Sequence, residues 1–425
     1  MENRYQMPRG TFDIYDEDVL VWRKVERLLR DICALYGYEE IRTPIFESTE
    51  VFKGENDSSD MVNKEMYTFD DNGGRSLTLR PEGTKGIIRA FVEHKMFGDA
   101  DLPKKLYYMG PMFRYDRPQK GRYRQFHQFG VEAIGARDPL LDVETIALGW
   151  HIAKAMGISN IKLLINSLGD KESRDSYRKA LTDHFTPHLD ELCADCHRRL
   201  KQNPLRVLDC KVDRDREFFQ TAPSIQDYLN EPSREYFARV LKGLDDLGIV
   251  YEIDPHLVRG LDYYTNTVFE VVPVDDAGQQ ATIIGGGQYD GLVESFGGGD
   301  LCGFGFGMGL ERMISLAKEQ GGLQVEREKN DVYVIAIGEV GDYGLRIAQK
   351  LRNAGFSVLM DYAHRGMKGQ FKAAERAQSK AIIIAGEDEL NAGKVNIKDT
   401  STREQITVSY EQIVDSITEI IGKQG

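Results

Sequence analysis

Two stretches of this 425-residue chain carry residue types whose spacing points to chemistry on a phosphorylated ligand. Residues 111–130 read PMFRYDRPQKGRYRQFHQFG and hold Arg114, Arg117, Lys120, Arg122 and Arg124 against a single acid, Asp116, a local charge of +4. Such a loop is either solvated surface or a phosphate-binding hairpin. The strand that follows argues for the second reading. With a period of two, Phe126, Gln128, Gly130 and Glu132 share one face, while His127, Phe129, Val131 and Ala133 share a mostly apolar one. From Gln128 to Glu132 is roughly 13 Å at about 3.3 Å per residue, a length that suits a small zwitterion with a polar side chain. The second stretch is GFGFGMG at 303–309. Gly303, Gly305, Gly307 and Gly309 fall on one strand face and Phe304, Phe306 and Met308 on the other. Four glycines on one face pack nothing and cost backbone entropy. The alternatives are close packing of a helix or a bare sheet face for a flat ligand, whose phosphates Arg312 could then reach.

Three further segments place polar groups at strand ends, where functional residues gather. They are Arg80-Pro-Glu82-Gly-Thr84, the run His256–Tyr264 with Arg259 before Gly260, and Gly285-Gly-Gly-Gln-Tyr289, read as a flexible polar-tipped loop. No G-x-x-x-x-G-K-[ST] occurs, Met308 breaks any G-x-G-x-x-G in the glycine strand, and there is no G-x-S-x-G. Cys193-x-x-Cys196-His197 is followed by Cys210, but a third Cys 14 residues on is not the usual paired zinc spacing. The expectation is free thiols and no bound metal.

The elements that must position these residues follow from periodicity. A helix is expected over 17–36, with apolar residues at helical spacing and Gly37 as C-cap. A strand is expected from Tyr38 to Phe46, on a sheet edge because of Pro44. Antiparallel strands are expected at 77–80 and 105–134, a helix at 140–156, a charged helical segment at 172–245, then strands at 249–254, 264–273, 281–285 and 303–309 and a helix at 310–319. Residues 317–330 read as a polar linker. Beyond it, apolar runs at 332–337, 358–360 and 381–385 alternate with helices at 342–354 and 367–378, the signature of a small, mainly parallel α/β sheet.

Composition bounds the rest. Apolar residues are 41%, charged residues 29%, and the net charge is −13, with a mean hydropathy of −0.44. Nothing approaches the 18 apolar residues of a membrane span, and MENRYQMPRG lacks the apolar stretch of a signal peptide, which predicts a cytoplasmic chain. Five cysteines in 425 residues do not make a disulfide framework.

Taken together, these residues resemble the histidyl-tRNA synthetase family of class II aminoacyl-tRNA synthetases, the bacterial type in particular. FRYDRPQKGRYRQF resembles class II motif 2, GFGFGMGLER at 303–312 resembles motif 3, and the helix and strand before Pro44 resemble motif 1, a dimer-interface element. LVRGLDYY at 257–264 and GGGQYDGL at 285–292 are specific to the histidine enzyme. The resemblance implies an α+β class II core over 1–325, mostly antiparallel sheet flanked by helices, with a helical insertion at 172–245. It further implies a C-terminal α/β anticodon-binding domain over 331–425. It implies ATP as substrate with Mg2+, L-histidine and tRNA(His) as partners, and a homodimer.

Residue roles implied by the resemblance run as follows. Arg114 and Arg259 flank the α-phosphate and are the catalytic pair. Arg122 and Arg312 bind ATP phosphates, Phe126 and Arg312 sandwich adenine, and Asp116 takes the place of a family Glu on the adenine amino group, one methylene shorter. Glu82, Thr84 and Gln128 hold the histidine ammonium and carboxylate. Glu132 and Tyr264 read the imidazole nitrogens, with Tyr263, Tyr289 and Arg259 completing the pocket. Arg117 and Gln119 approach the tRNA acceptor end. A synthetase-like regulatory subunit of ATP phosphoribosyltransferase shares the fold, but is expected to lack the anticodon domain and parts of the arginine set retained here.

In the last 95 residues the charges nearly balance, yet Arg365, Lys368, Lys372, Arg376 and Lys380 recur at helical spacing with Met367, Phe371 and Ala374 opposite. The alternatives are a solvated helix face or, beside a synthetase core, a surface for the tRNA backbone. The stretches 111–130 and 365–380 are each +4, so the remaining residues total −21. An acidic body with two basic islands limits non-specific RNA binding. Affinity for tRNA is therefore expected to fall with salt, and Lys372→Glu to weaken it further. A filter-binding titration that finds the variant's affinity unchanged would remove residues 365–380 from the interface.

Overall fold

A computed structural model describes all residues except 1–4, 55–60, 99–101, 120, 211, 275–281, 326–328 and 423–425. Lys120, much of the 53–64 loop and the expected start of a strand at 281 lie outside the described residues. The chain forms two compact units, 1–325 and 326–425.

The first unit begins with helix Glu17–Leu35, which buries Val21, Val25, Leu29 and Ile32. Strand β1 (Glu39–Glu40) follows, then a three-stranded patch of β2 (Phe46–Ser48), β3 (Tyr67–Asp70) and β4 (Ser76–Leu79). The single strand expected over 38–46 is thus split. Pro44 has no N–H to donate, and the Thr43 carbonyl is taken by the Arg80 guanidinium at 3.1 Å. Helix Thr84–Glu93 leads to the long hairpin of β5 (Lys104–Phe113) and β6 (Gln125–Ile134), joined by the arginine-rich loop. Helix Pro139–Ala155 and β7 (Ile161–Ser167) come next. After the helical segment follow β8 (Tyr251–Ile253), β9 (Tyr264–Pro273), β10 (Ile284–Tyr289), β11 (Gly303–Gly309) and helix Leu310–Glu319.

Eight of these strands make one sheet, in the order β1-β5-β6-β11-β10-β9-β7-β8. Its ladders are antiparallel except at the two ends, where β1 pairs with β5 and β7 with β8 in parallel. One face carries Phe129 and Val131 of β6, Phe304, Phe306 and Met308 of β11, and Phe269 and Val271 of β9. All are buried in the main core with the helices at 17–35, 139–155 and 310–319. Burying such a side chain contributes roughly 1.5–3 kcal/mol, so this face holds the sheet and leaves the other free for polar groups.

The segment between β7 and β8 has its own small core, in which Tyr177, Leu181, Phe185, Cys196, Leu200 and Phe219 are buried together. Its last helix, Glu231–Asp246, instead puts Phe237, Val240 and Leu244 into the main core. It crosses helix Pro139–Ala155 where a Cβ on Gly243 would meet Val143 at 2.7 Å.

Gly285–Tyr289, expected as a flexible loop, is the buried strand β10 between β9 and β11. Its glycines answer close approach rather than flexibility. A Cβ at Gly286 would strike Phe306 and the Gly305 carbonyl, and one at Gly287 would strike the Thr267 carbonyl.

In the second unit β12 (Val332–Ala336) lies between β13 (Val358–Met360) and β14 (Ala381–Ala385), all parallel, with helices Gly341–Asn353 and Met367–Arg376 as crossovers. Two strands not read from the sequence, β15 (Lys394–Asp399) and β16 (Gln405–Ser409), extend the sheet antiparallel. The basic helix stops at Arg376. Arg365 precedes it and pairs with Asp361, while Lys368, Lys372 and Arg376 are exposed. Lys380 lies past the helix and pairs with Asp331 at 3.1 Å, so it is not on the face. Met367 is 50% exposed rather than buried. Gln370 takes the inward place because its amide bonds both the N–H and the carbonyl of Ala336. Among the described residues no helix is long and apolar enough to cross a membrane.

Candidate active site

The polar face of the sheet opens into a cavity of about 400 Å³ whose walls come from β6, β9, β10 and β11, the arginine-rich loop and the start of helix Thr84–Glu93. Arg114 follows β5. Its Nε donates to the Pro81 carbonyl at 2.8 Å and its guanidinium lies 5.3 Å from the Phe126 ring centre. Arg259 lines the same cavity from the loop before β9. Its guanidinium is ion-paired with Glu270 and 5.7 Å from the Tyr264 ring centre, while its Nε is buried without a hydrogen-bond partner. Glu270 also accepts from the Thr282 hydroxyl at 2.6 Å. Arg312 donates to the Thr282 carbonyl at 2.7 Å. Asp116 is engaged inside its own loop, by Arg122 Nε at 2.6 Å and the Arg117 N–H at 2.7 Å.

At the other end, Glu82 accepts from the N–H groups of Thr84 and Lys85 at 2.6 and 2.9 Å. These are free donors of the first turn of helix Thr84–Glu93, so one carboxylate both caps that helix and lines the cavity. Thr84 in turn donates its hydroxyl to Glu132 Oε1 at 2.7 Å, and Tyr289 donates to Glu132 Oε2 at 2.8 Å. Glu132 is 1% exposed. Burial pushes its carboxyl up to about 8, against smaller opposing pulls from the Thr84 and Tyr289 hydrogen bonds. Burial likewise raises the phenols of Tyr263, Tyr264 and Tyr289.

The glycine face of β11 is not bare. A Cβ on Gly303 would strike the Tyr289 ring, one on Gly305 the Glu132 carboxylate, and one on Gly307 the Gln128 amide. Register sets the match: Tyr289 pairs with Gly303 and Glu132 with Gly305. The gap at Gly130 is filled by Tyr108, and Gly285 gives way to the Arg259 guanidinium. Only Gly309 faces open space.

The structure therefore gathers Glu82, Thr84, Arg114, Asp116, Arg122, Phe126, Gln128, Arg259, Tyr263, Tyr264 and Arg312 around one cavity. Glu132 and Tyr289 are joined to it through Thr84 and Gly303 and lie behind its wall. Arg117 and Gln119 are exposed on the loop. Arg365, Lys368, Lys372 and Arg376 belong to the second unit. Sequence reasoning missed Glu270, although it is the only charged residue of β9. It also missed Asp213, which joins Cys193, Cys196 and Cys210 in a cluster away from this cavity.

An antiparallel sheet with a polar cavity lined by several arginines, a motif 2 hairpin and a glycine-lined motif 3 strand defines a class II aminoacyl-tRNA synthetase. Comparison with known proteins narrows this. The histidyl-tRNA synthetase family matches residues 10–313, and an anticodon binding domain family matches 331–420. Histidine–tRNA ligase of Bacillus licheniformis is 52% identical over 96% of this chain and 97% of that protein. Its Bacillus subtilis counterpart is 53% identical over 96% and 97%. The structure of apo S. aureus histidyl-tRNA synthetase superposes with a TM-score of 0.81 at 43% identity, covering 97% of this chain and 99% of that one. The chain belongs to the histidyl-tRNA synthetase family.

Two predictions follow from this geometry. A methyl group at residue 307 meets Gln128 Nε2, and the next atom, Gln128 Cδ, is at 3.3 Å. Gly307→Ala is therefore expected to leave the unfolding temperature almost unchanged, while turning Gln128 out of the cavity and raising the KM for histidine roughly tenfold, the loss of one polar contact. An unchanged KM would mean that Gln128 does not touch substrate.

The second prediction concerns Glu132. Its folded pKa is about 8 and the unfolded value is about 4.3, so the folded state keeps a proton that the unfolded state releases. Its contribution to stability is complete below about pH 4 and is lost as pH rises toward about pH 8. Glu132→Gln removes that dependence. Denaturant unfolding of the ligand-free protein should show the variant gaining on the parent between about pH 5 and pH 8. A constant difference would place the Glu132 proton elsewhere.

Proposed function

We propose that ATP and L-histidine react in this cavity, with ATP along the Arg114–Arg312 side and histidine along the Glu82–Tyr264 side. The reaction is that of a histidine–tRNA ligase. A histidine carboxylate oxygen attacks the α-phosphorus of ATP and diphosphate leaves. The 3′-terminal ribose hydroxyl of tRNA(His) then attacks the carbonyl of the adenylate and AMP leaves. The observation that carries this reading is the pair of guanidinium groups, Arg114 and Arg259, that line one cavity, each held by its own partner, the Pro81 carbonyl and the Glu270 carboxylate. The five-coordinate α-phosphate carries extra negative charge, and two prepositioned cations stabilise it more than they stabilise bound ATP. No general base is needed, because the attacking carboxylate is already an anion.

The remaining roles follow from chemistry. Phe126, with Arg114 against its ring, offers a stacking surface for adenine, and Arg312 covers the other side. Arg122 and Asp116 exchange their mutual ion pair for the ATP phosphates and the adenine amino group. Mg2+ would enter with ATP and would supply charge neutralisation for the departing diphosphate. Glu82 receives the histidine ammonium, and Gln128, whose Oε1 is buried without a partner, bonds beside it. Tyr264 and Glu132 take the two imidazole nitrogens. For this, Glu132 exchanges its bond from Thr84 for one from imidazole N–H, and the proton that burial lets it keep passes to solvent as histidine enters. An apolar amino acid would leave these groups unpaired, a difference of about 10⁴–10⁵ in such polar sites, so no editing domain is required.

Residues 331–425 serve as the anticodon-binding domain, with Lys368, Lys372 and Arg376 against the tRNA backbone. Arg117 and Gln119 meet the acceptor end. The active species is a cytoplasmic homodimer.

Diphosphate–ATP exchange with each of the 20 amino acids tests the assignment: histidine should be the one that stimulates it. Arg259→Ala should lower single-turnover adenylation roughly 10²–10³-fold, as loss of a transition-state donor does. Histidine should still bind through Glu132 and Tyr264. Normal adenylation in this variant would sink the role given to Arg259.

A further inference from the structure

Away from the cavity, in the helical segment between β7 and β8, Cys193, Cys196, Cys210 and Asp213 bring their Sγ and carboxylate atoms within 4.8 Å of one another. We propose that these four side chains bind one structural divalent cation, zinc by the softness of the thiol donors. The expectation of free thiols rested on Cys spacing alone, in which the second pair is incomplete. Asp213 completes it: C-x₂-C, thirteen residues, then C-x₂-D.

Distances support the assignment. Zinc binds Cys sulfur at about 2.3 Å and carboxylate oxygen at about 2.0–2.2 Å in tetrahedral geometry, so the edges are roughly 3.8 Å between sulfurs and 3.5–3.7 Å between sulfur and oxygen. Cys193 and Cys210 have their sulfurs 3.8 Å apart, and Cys210 Sγ lies 3.7 Å from Asp213 Oδ2. Two backbone donors aim at the ligand atoms, the Asp213 N–H at Cys210 Sγ (3.3 Å) and the Cys193 N–H at Asp213 Oδ2 (2.9 Å). Such bonds orient metal ligands from outside.

A cluster of free thiols would pack as small apolar groups, and that accounts for Cys196 and Cys210. It does not account for the direction of a carboxylate with no exposed surface: only its Oδ1 meets a cation, Arg216 Nε at 3.3 Å, while its Oδ2 is turned toward Cys210 Sγ at 3.7 Å. A Cys193–Cys210 disulfide would bring those sulfurs to about 2.05 Å and leave both Cys196 and Asp213 without a role. With three thiolates and one carboxylate the filled site carries two negative charges, and Arg216 Nε stands 3.3 Å from Asp213 Oδ1 to offset them.

Four protein ligands leave no open position, which makes the site structural rather than catalytic. It ties Cys193 and Cys196, at the start of helix Ala194–Gln202, to Cys210 and Asp213. Between these ends lie Asn203, which donates to Asp262 at 2.9 Å, and Arg206, which donates to the Gly260 carbonyl at 2.8 Å. Both partners belong to the loop that carries Arg259. The cation thus fastens the segment on which that loop leans.

The test uses the full chain, purified without chelator and kept reduced. Elemental analysis by mass spectrometry should find about one zinc per chain. Asp213→Asn, chosen because it keeps the side-chain volume, should lower affinity about 10–100-fold or more in competition with a chromogenic chelator. Because a variant can fail for want of folding, the parent chain supplies a second measurement. Stripping it with a chelator should lower its unfolding temperature, and Zn2+ alone should restore it. Co2+ in its place should give the visible spectrum of a tetrahedral thiolate site. Reduced protein that takes up no zinc or cobalt would overturn the proposal. So would an intact mass and thiol count that reveal a Cys193–Cys210 disulfide, or an Asp213→Asn chain that holds zinc as tightly as the parent.

Discussion

The site depends on missing Cβ atoms. Glu132, Gln128, Tyr289 and Tyr108 are long side chains of the sheet that each occupy the space over a glycine, and Arg259, from the loop before β9, does the same over Gly285. Side chains in a sheet normally stand away from it and fill the space above. Here they take the space over glycines, and the room they vacate is the cavity. Four glycines on one face of β11 are intrinsically costly, and the aromatic face behind them, with Phe304 stacked on Phe269 and Phe306 packed edge-on to Phe269 and tilted against Phe129, holds the strand in place. Apolar packing on one side of a single strand thus supports polar positioning on the other.

The same economy joins local structure to chemistry at the edge of the cavity. Glu82 satisfies two helix N–H groups that would otherwise be unpaired, and its position is therefore set by the helix rather than by side-chain freedom. Thr84, in the first turn of that helix, reaches Glu132 on β6, so helix and sheet meet through a chain of hydrogen bonds. Networks of this kind are rigid when every member is satisfied. That rigidity suits a site whose selectivity rests on leaving the wrong amino acid with unpaired partners.

Much of this was legible in residue order. Alternation of Gly with Phe and Met marks β11 because both faces repeat at period two, and the strand–helix alternation after residue 331 marks the parallel strands β12, β13 and β14. The paired arginines stand out by charge and by motif. What escaped has physical reasons. Glycine signals either freedom or close approach, and only the neighbours of Gly285–Gly287 reveal which. Pro44 and Arg80 together interrupt a strand, and Arg80 is distant in sequence. Met367 and Gln370 exchange places because a backbone partner at Ala336 outweighs apolarity. Lys380 keeps helical spacing past a helix that has already ended. Glu270 and Asp213 are acids whose importance comes from what faces them, and nothing in a linear sequence states that.

Arg259 meets Glu270 before any substrate enters. In the role proposed for Arg259, a cation with a resident counter-ion does not advertise a strong positive field, so inorganic phosphate or sulfate entering alone would have to compete with a carboxylate already seated at contact distance. A nucleotide held along its whole length by ring stacking and further arginines can win that exchange, because its other contacts hold the phosphate against the guanidinium. The Glu270 carboxylate thereby acts as a threshold: it sets how much of a ligand must be bound elsewhere before the cation is released to act on it.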